Sequence, residues 1–151
     1  MLSFSSNSRS PKLPSGYILD FKSKPSSHDL NRLFSKCNQD TYPHKELSLA
    51  LENSIFHLTI VEERTANLTG FVRATSDKGL NANLWNLAAA PVPKQIDLLK
   101  VLVYCSLGIL KRDMPGCSVS IAAPSIAINP LKEQGFLLDP TGIRAMGYRL
   151  R

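Results

Sequence analysis

The sequence predicts an α/β domain in which helices cover both faces of one mixed sheet. Three observations lead to this prediction. Segments with apolar residues at alternate positions, typical of strands, are interspersed with segments whose apolar residues recur every three or four positions, typical of helices. Late in the chain, strands alternate with single helices, which indicates a sheet covered on both sides. The 151 residues, 43% of them hydrophobic and 20% charged, suit one globular domain.

Residues 1–15 are predicted to be a flexible arm, and residues 16–151 to be the folded domain. The arm is rich in serine, carries Arg9 and Lys12 and contains no acidic residue. Such a composition buries too little apolar surface to order a chain.

The first elements of the domain follow from residue spacing. Apolar residues at positions 17, 19 and 21 predict a strand. Ser27-His28-Asp29 predicts the start of a helix, whose apolar face comprises Leu30, Leu33, Phe34 and Cys37. A turn at Tyr42-Pro43 precedes a second helix with Leu47, Leu49, Ala50 and Leu51.

The later elements complete one order. Residues 55–61 and 68–75 predict a hairpin, 83–90 a further strand ended by Pro91, and 96–111 a long helix. Residues 117–123 predict a strand, and residues 129–134 a short helix that begins at Asn129-Pro130 and ends at Gly135. Residues 143–150 predict a final strand. The predicted order is β-α-α-β-β-β-α-β-α-β.

Five segments of the chain have the character of family motifs. They are residues 70–77 (GFVRATSD), residues 81–86 (NANLWN), Lys111-Arg112-Asp113, Gln134-Gly135-Phe136 and residues 139–146 (DPTGIRAM). In this order they resemble the segments GFARATSD, FNATIWD, RRD, LGF and DPEGIKGM of the cyanobacterial and plastid branch of the GCN5-related N-acetyltransferase (GNAT) family. The resemblance covers residues 16–151 and implies the GNAT fold, acetyl-CoA as donor and a primary amine as acceptor.

The resemblance places a pyrophosphate-binding loop before the central helix. Family members have glycines there, because the phosphates approach main-chain amides at a helix N-terminus. The three glycine positions fall on Gln95, Asp97 and Leu99. Two of these residues add bulk, and Asp97 adds a negative charge beside the phosphates. Lys94 and Lys100 attract anions without forming an amide cage. The loop therefore predicts weakened acetyl-CoA binding.

The catalytic positions that the resemblance implies hold side chains that do not ionise. The tyrosine acid of the family falls on Leu131, and the groups that remove the amine proton fall on Asn86 and Ala90. Tyr104 and Tyr148 are the tyrosines predicted nearby, and we expect both to be packing residues. Main-chain groups of Leu87, Ala88, Ala89 and Ala90 remain to bind the pantetheine arm, and the small alanines predict an open groove there.

The central helix carries no charge from Val101 to Leu110. Since a helix that is apolar on all sides is buried on all sides, two interpretations stand. A protein partner or a second copy covers its outer face, with Val101, Tyr104, Cys105 and Gly108 at the interface, or another element of the same chain covers it.

Other functional classes are not predicted. The three histidines are far apart, and the three cysteines form no C-x-x-C pair, which predicts no metal site and a reducing compartment, cytoplasmic or like the plastid stroma. The net charge of +6 is scattered, so nucleic-acid binding is not expected. No apolar run approaches the roughly 18 residues of a membrane span.

Two functions follow. The residues favour a catalytically impaired GNAT-fold protein that acts as a protein-binding or regulatory module. The resemblance favours the alternative, an active acetyl-CoA-dependent N-acetyltransferase with an atypical loop.

Overall fold

A computed structural model describes residues 10–150, which form five strands and four α-helices. In chain order these are β1 (Tyr17–Asp20), α1 (Ser27–Lys36), α2 (His44–Glu52), β2 (Phe56–Glu62), β3 (Leu68–Ser76), β4 (Asn81–Ala89), α3 (Gln95–Asp113), β5 (Ser118–Ile121) and α4 (Ile128–Glu133). Short 3-10 turns lie at Ser125–Ala127 and Pro140–Gly142.

The strands form one mixed sheet in the order β1-β2-β3-β4-β5. Each of the first four strands pairs in an antiparallel manner with the next strand along the chain. β5 pairs in parallel with β4, and a parallel pair requires a crossover connection, which α3 provides. The α/β fold class is therefore confirmed.

Each face of the sheet carries its own hydrophobic core. On one face α3 and α4 cover the central strands, with Leu58, Leu84 and Leu102 among the buried residues. On the other face α1 and α2 pack on the sheet through Leu33, Phe34 and Phe71, among others. The rings of Phe34 and Phe71 meet edge to face, with centroids 6.0 Å apart.

Gly70 allows α3 to approach the sheet closely. A Cβ added at this position would lie 3.2 Å from both Ile60 Cβ and Leu102 Cδ1. Contacts of this kind are a common reason for a glycine inside a strand.

Two predicted helix starts differ from the structure. The N-cap of α1 is Ser26, whose hydroxyl accepts a hydrogen bond from the N–H of Asp29 at 3.1 Å. α4 begins at Ile128, so Asn129 and Pro130 lie inside its first turn. The 3-10 turn that precedes α4 already fixes the helical backbone, and a proline in a first turn removes no intrahelical hydrogen bond. Gly135 follows α4 with a φ of +98°, as its predicted capping role requires.

The predicted final strand is wrong. Residues 143–150 form neither a helix nor a strand. The chain turns at Pro140–Gly142, with positive φ at Asp139 and Thr141, and then does not return to the edge of β5. Because no backbone pairing forms, the apolar side chains stay exposed, and Tyr148 is 92% exposed. The expectation that Tyr148 is a packing residue is therefore also wrong.

The chain itself covers most of the uncharged run in α3. Val101 is 3% exposed, so it is not available as the interface residue that was predicted. Tyr104 is 42% exposed, which contradicts its predicted packing role, and Gly108 is also exposed, with Cys105 partly buried. A narrow stripe of this helix thus remains open to contact.

The structure describes only part of the predicted N-terminal arm. Residues 1–9 lie outside the described residues, whereas Leu13 is partly buried against the core beneath α3.

Within residues 10–150, every helix falls short of the length or hydrophobicity needed to span a bilayer.

Candidate functional site

A cleft opens where β4 and β5 separate. Their pairing runs from Asn81↔Ser118 to Leu84↔Ile121 and stops, although β4 continues to Ala89. The gap has a volume of about 1050 Å³. Its walls come from the two strands, from α4, from the segment between α1 and α2, and from the segment 136–145 that follows α4.

A bulge in β4 shapes one end of the cleft. Phe71 pairs with Ala88 but Arg73 pairs with Trp85, so β4 carries one extra residue at this point. Asn86 lies in the bulge with a φ of +56°, a left-handed conformation that asparagine tolerates better than most residues. Bulges of this kind redirect a side chain, and here Asn86 reaches both a neighbouring strand and the cleft wall.

Asn86 links Arg73 to Tyr42. The Nε of Arg73 donates to Oδ1 of Asn86 at 2.8 Å, and Nδ2 of Asn86 lies 3.4 Å from the Tyr42 hydroxyl. The Arg73 guanidinium also lies over the ring of Trp85, 5.9 Å from its centroid. Burial lowers the pKa of Arg73, but a guanidinium stays charged at any physiological pH.

The segment that carries Tyr42 is fixed by Asn31 of α1. The side-chain amide of Asn31 donates to the Tyr42 carbonyl at 2.7 Å and accepts from the Tyr42 N–H at 3.0 Å. The Tyr42 ring also packs edge to face on Phe34, with centroids 6.1 Å apart. The hydroxyl therefore has a defined position in the cleft wall.

Side chains cap the carbonyl groups of β4 that face away from β3. Ala90 donates its N–H to Thr69, and main-chain groups alternate in direction along a strand, so Leu87 and Ala89 face away from β3. The Leu87 oxygen accepts from Gln39 at 2.9 Å. The Ala89 oxygen accepts from the Gln95 amide at 2.9 Å and from the thiol of Cys37 at 3.2 Å.

The predicted open groove at the alanines is not present. Ala88, Ala89 and Ala90 are at most 5% exposed and belong to the two cores. Their small side chains allow close packing, which fills the space that a groove would need. Of the four residues predicted to bind pantetheine, Leu87 lines the cleft.

The loop before α3 offers few main-chain donors. Of the eight residues 91–98, two are prolines, and three donate to nearby carbonyls: Val92 to Ala90, Gln95 to Val92, and Leu98 to Lys94. Asp97 lies in the first turn of α3, where a carboxylate stabilises the helix. The Nζ atom of Lys94 lies 3.8 Å from Oδ2 of Asp97. The loop therefore places two prolines and a carboxylate where the resemblance predicts a pyrophosphate site.

The remaining predicted positions are apolar or buried. Leu131 lines the cleft and is 3% exposed, so the place of the family's tyrosine acid holds packed hydrocarbon. Leu99 is fully buried in the core beneath α3, and Ala90 is buried on the opposite face. Asn86 reaches the cleft. Among residues 10–150, no three His, Cys, Asp or Glu side chains are placed to hold a metal ion.

Tyr42 and Gln39 line the cleft but are not among the site residues predicted from the sequence. Both belong to the segment between α1 and α2, where Tyr42-Pro43 predicts only a turn. A usable signal was present, because connections between helices run over the surface, where binding residues concentrate.

Comparisons with known proteins agree on one family. Two relatives are called "Uncharacterized N-acetyltransferase ycf52". The protein from Pyropia yezoensis is 30% identical over 121 residues, covering 79% of this chain and 69% of its own length. The protein from Gracilaria tenuistipitata var. liui is 30% identical over 130 residues, covering 85% and 71%. No protein-family model matches the sequence.

The fold has solved counterparts. A Staphylococcus aureus protein described as a probable acetyltransferase superposes with a TM-score of 0.78, covering 89% of this chain and 99% of its own. At 15% identity this likeness concerns the fold alone.

Proposed function

This chain belongs to the GNAT family of N-acetyltransferases, in the branch of the ycf52 proteins, and on that premise we propose that it is a binding or regulatory module whose capacity for acetyl transfer is impaired. On this proposal the cleft between β4 and β5 still binds a ligand, while the loop before α3 no longer binds acetyl-CoA tightly.

The loop before α3 supports the proposal most directly. With two N–H groups missing and three used internally, at most Lys94, Ile96 and Asp97 can offer main-chain donors to a phosphate between Pro91 and Leu98. The carboxylate of Asp97 adds repulsion, which for charges about 4 Å apart amounts to about 4 kcal/mol near a protein surface. Lys94 partly compensates this charge, but its ammonium group is a single point of attraction.

The proton chemistry of the cleft points in the same direction. Leu131 cannot protonate a leaving thiolate, and neither Asn86 nor Ala90 can accept a proton from an amine near neutral pH. Loss of the donor site and loss of the acid affect separate elements, α3 and α4. Impairment therefore does not depend on a single substitution.

The exposed stripe of α3 supports a protein partner less well than the cleft supports a small ligand. A specific protein interface buries about 800 Å² on each partner, whereas the exposed part of the uncharged run centres on Tyr104 and Gly108. We therefore place the binding function in the cleft.

One observation favours the alternative of an active N-acetyltransferase. The Tyr42 hydroxyl lies in the cleft wall beside the β4 bulge, fixed by Asn86 and Asn31. A hydroxyl in that position can exchange protons with a bound substrate.

Calorimetric titration with acetyl-CoA tests the proposal. We expect no saturation below the millimolar range, and no release of CoA, measured chromatographically, when primary amines are added. Saturation at micromolar acetyl-CoA with amine-dependent CoA release would refute the proposal and establish the alternative.

A further inference from the structure

The half-buried Arg73 lacks a carboxylate partner. Among residues 10–150, none of the ion pairs involves Arg73. Burial lowers the pKa of Arg73, and among those residues Tyr42 is the one ionisable group that also affects it. Its hydrogen bonds go to Asn86 and, at 3.4 Å, to the hydroxyl of Ser54. Because buried charges are normally paired, this guanidinium has unused capacity to stabilise an anion.

The hydrogen bond from Arg73 to Asn86 begins a chain that runs towards the cleft. A guanidinium only donates, so the Asn86 atom that faces it must be Oδ1 and the Nδ2 group must face Tyr42. The Tyr42 oxygen therefore accepts from Asn86, which leaves the hydroxyl proton free to donate elsewhere. In such a chain each bond polarises the next, and a positive charge at its start strengthens the final donor.

The other charges of the cleft do not cancel that of Arg73. Asp40 lines the same end of the cleft, but it is exposed, so solvent and salt screen it more than a half-buried group. Of the remaining charged residues in the walls, Arg144 and Asp139 pair with each other at 2.9 Å, and Lys132 is positive. His57, the neighbour of Arg73 on β2, lies with its Nε2 3.1 Å from the carbonyl oxygen of Ser23.

We propose that the Tyr42 end of the cleft is a subsite for a small molecule that carries a carboxylate. The carboxylate accepts a hydrogen bond from the Tyr42 hydroxyl, with the Asn86 amide beside it and the charge of Arg73 behind. The ring of Trp85, which is 40% exposed and lines the same end, flanks the ligand. This inference rests on the proposed function in using the same cleft, but it does not require acetyl-CoA to bind or to be excluded.

The unique tryptophan provides the measurement. Trp85 is the only tryptophan in the chain and lies in the proposed subsite, so its fluorescence reports occupancy. The probe is N-acetylglycine, and the matched neutral compound is N-acetylglycinamide. We expect saturable quenching or enhancement by the carboxylate at millimolar concentration, with at least about tenfold weaker binding of the amide, because a hydrogen bond to a charged group is the stronger one.

Two variants that spare the fold sharpen the test. Tyr42→Phe keeps the ring that packs on Phe34 and removes the donor, and we expect about tenfold weaker binding of N-acetylglycine. Asp40→Asn removes the opposing charge, and we expect binding about twofold to fivefold tighter. Arg112→Gln, at the far end of α3 and outside the cleft, is the control and leaves the affinity unchanged.

Equal affinity for the acid and the amide would overturn the inference, as would unchanged affinity in both Tyr42→Phe and Asp40→Asn. These outcomes are independent of the acetyl-CoA titration. Tight acetyl-CoA binding together with a fluorescence response selective for the carboxylate would reject the proposed function and support the subsite. Weak acetyl-CoA binding together with an equal response to acid and amide would support the proposed function and reject the subsite.

Discussion

The side-chain amide of Gln95 donates a 2.9 Å hydrogen bond to the carbonyl oxygen of Ala89, which ties the first residue of α3 to the last residue of β4. The bond joins the two ends of the loop that connects β4 to α3. A ligand that donates a hydrogen bond to the Ala89 carbonyl must therefore compete with the Gln95 amide.

Replacing the side chains of this loop should restore affinity for acetyl-CoA. In the double variant Gln95→Gly/Asp97→Gly, the Ala89 carbonyl loses its amide donor, the first turn of α3 loses two side chains and one repelling charge is lost. We expect affinity to rise by about tenfold or more, measured by calorimetry, since tenfold corresponds to only about 1.4 kcal/mol.

Ile96→Gly is the matched control for this variant. Ile96 lies between the two replaced residues and is 41% exposed, so the change carries the same helix penalty of about 1 kcal/mol per glycine without freeing the carbonyl or the charge. A double variant that binds acetyl-CoA no better than Ile96→Gly would show that these two side chains do not limit donor binding.

The elements up to α4 could be predicted because each has a periodic apolar face that the sheet or a helix buries. The final strand could not, although Met146, Tyr148 and Leu150 lie at alternate positions as in a strand. Alternating apolar side chains show only that one face of a strand could be buried. A strand also needs a neighbouring strand for its backbone hydrogen bonds, and residues 143–150 do not pair with the edge of β5.

The sequence predicts which elements carry the site residues. It does not predict the side-chain contacts between residues that are far apart in the chain. Leu131 and Asn86 lie on the elements where they were expected, and Gln95, which was expected in the loop before the central helix, is the first residue of α3. The contacts of Gln39 with Leu87 and of Tyr42 with Asn86 join residues 48 and 44 positions apart, and no local pattern specifies such pairs.

Gly70→Ala should destabilise the protein, whereas Gly108→Ala should stabilise it. A Cβ at Gly70 would press on Ile60 and Leu102 at 3.2 Å, and overpacking of a core typically costs about 1–3 kcal/mol. At Gly108, inside α3, nothing lies within 4 Å of an added Cβ, so the gain in helix propensity should be about 0.5–1 kcal/mol. Urea unfolding of both variants measures this, and equal signs would contradict the packing described for β3.

Ser106→Ala should raise the free energy of unfolding by about 1 kcal/mol. The hydroxyl of Ser106 is fully buried in α3 and has no hydrogen-bond partner among residues 10–150, so removing it removes an unpaired polar group. Thr69→Val is the matched contrast, because the Thr69 hydroxyl is buried but donates to the Ile60 carbonyl at 3.1 Å, and its loss should destabilise. Chemical unfolding decides the point, and a loss of stability in Ser106→Ala would mean that the hydroxyl is satisfied in solution.

Asp20 should make stability depend on pH in the acid range. Hydrogen bonds from the Ser23 hydroxyl and from the N–H groups of Lys22 and Ser23 lower the pKa of Asp20 from 3.8 to about 2. Since the folded state lowers this pKa, the carboxylate stabilises the fold above about pH 4, and the contribution is lost as the pH falls towards about 2. Thermal midpoints of wild type and Asp20→Asn should therefore differ by a constant amount above pH 4 and converge below it. Ser23→Ala removes the largest cause of the shift, so the loss of the Asp20 contribution, which begins near pH 4 in both proteins, should be complete at a higher pH in this variant than in the wild type. A difference between wild type and Asp20→Asn that stays constant down to pH 2 would show that the carboxylate is not held by these donors.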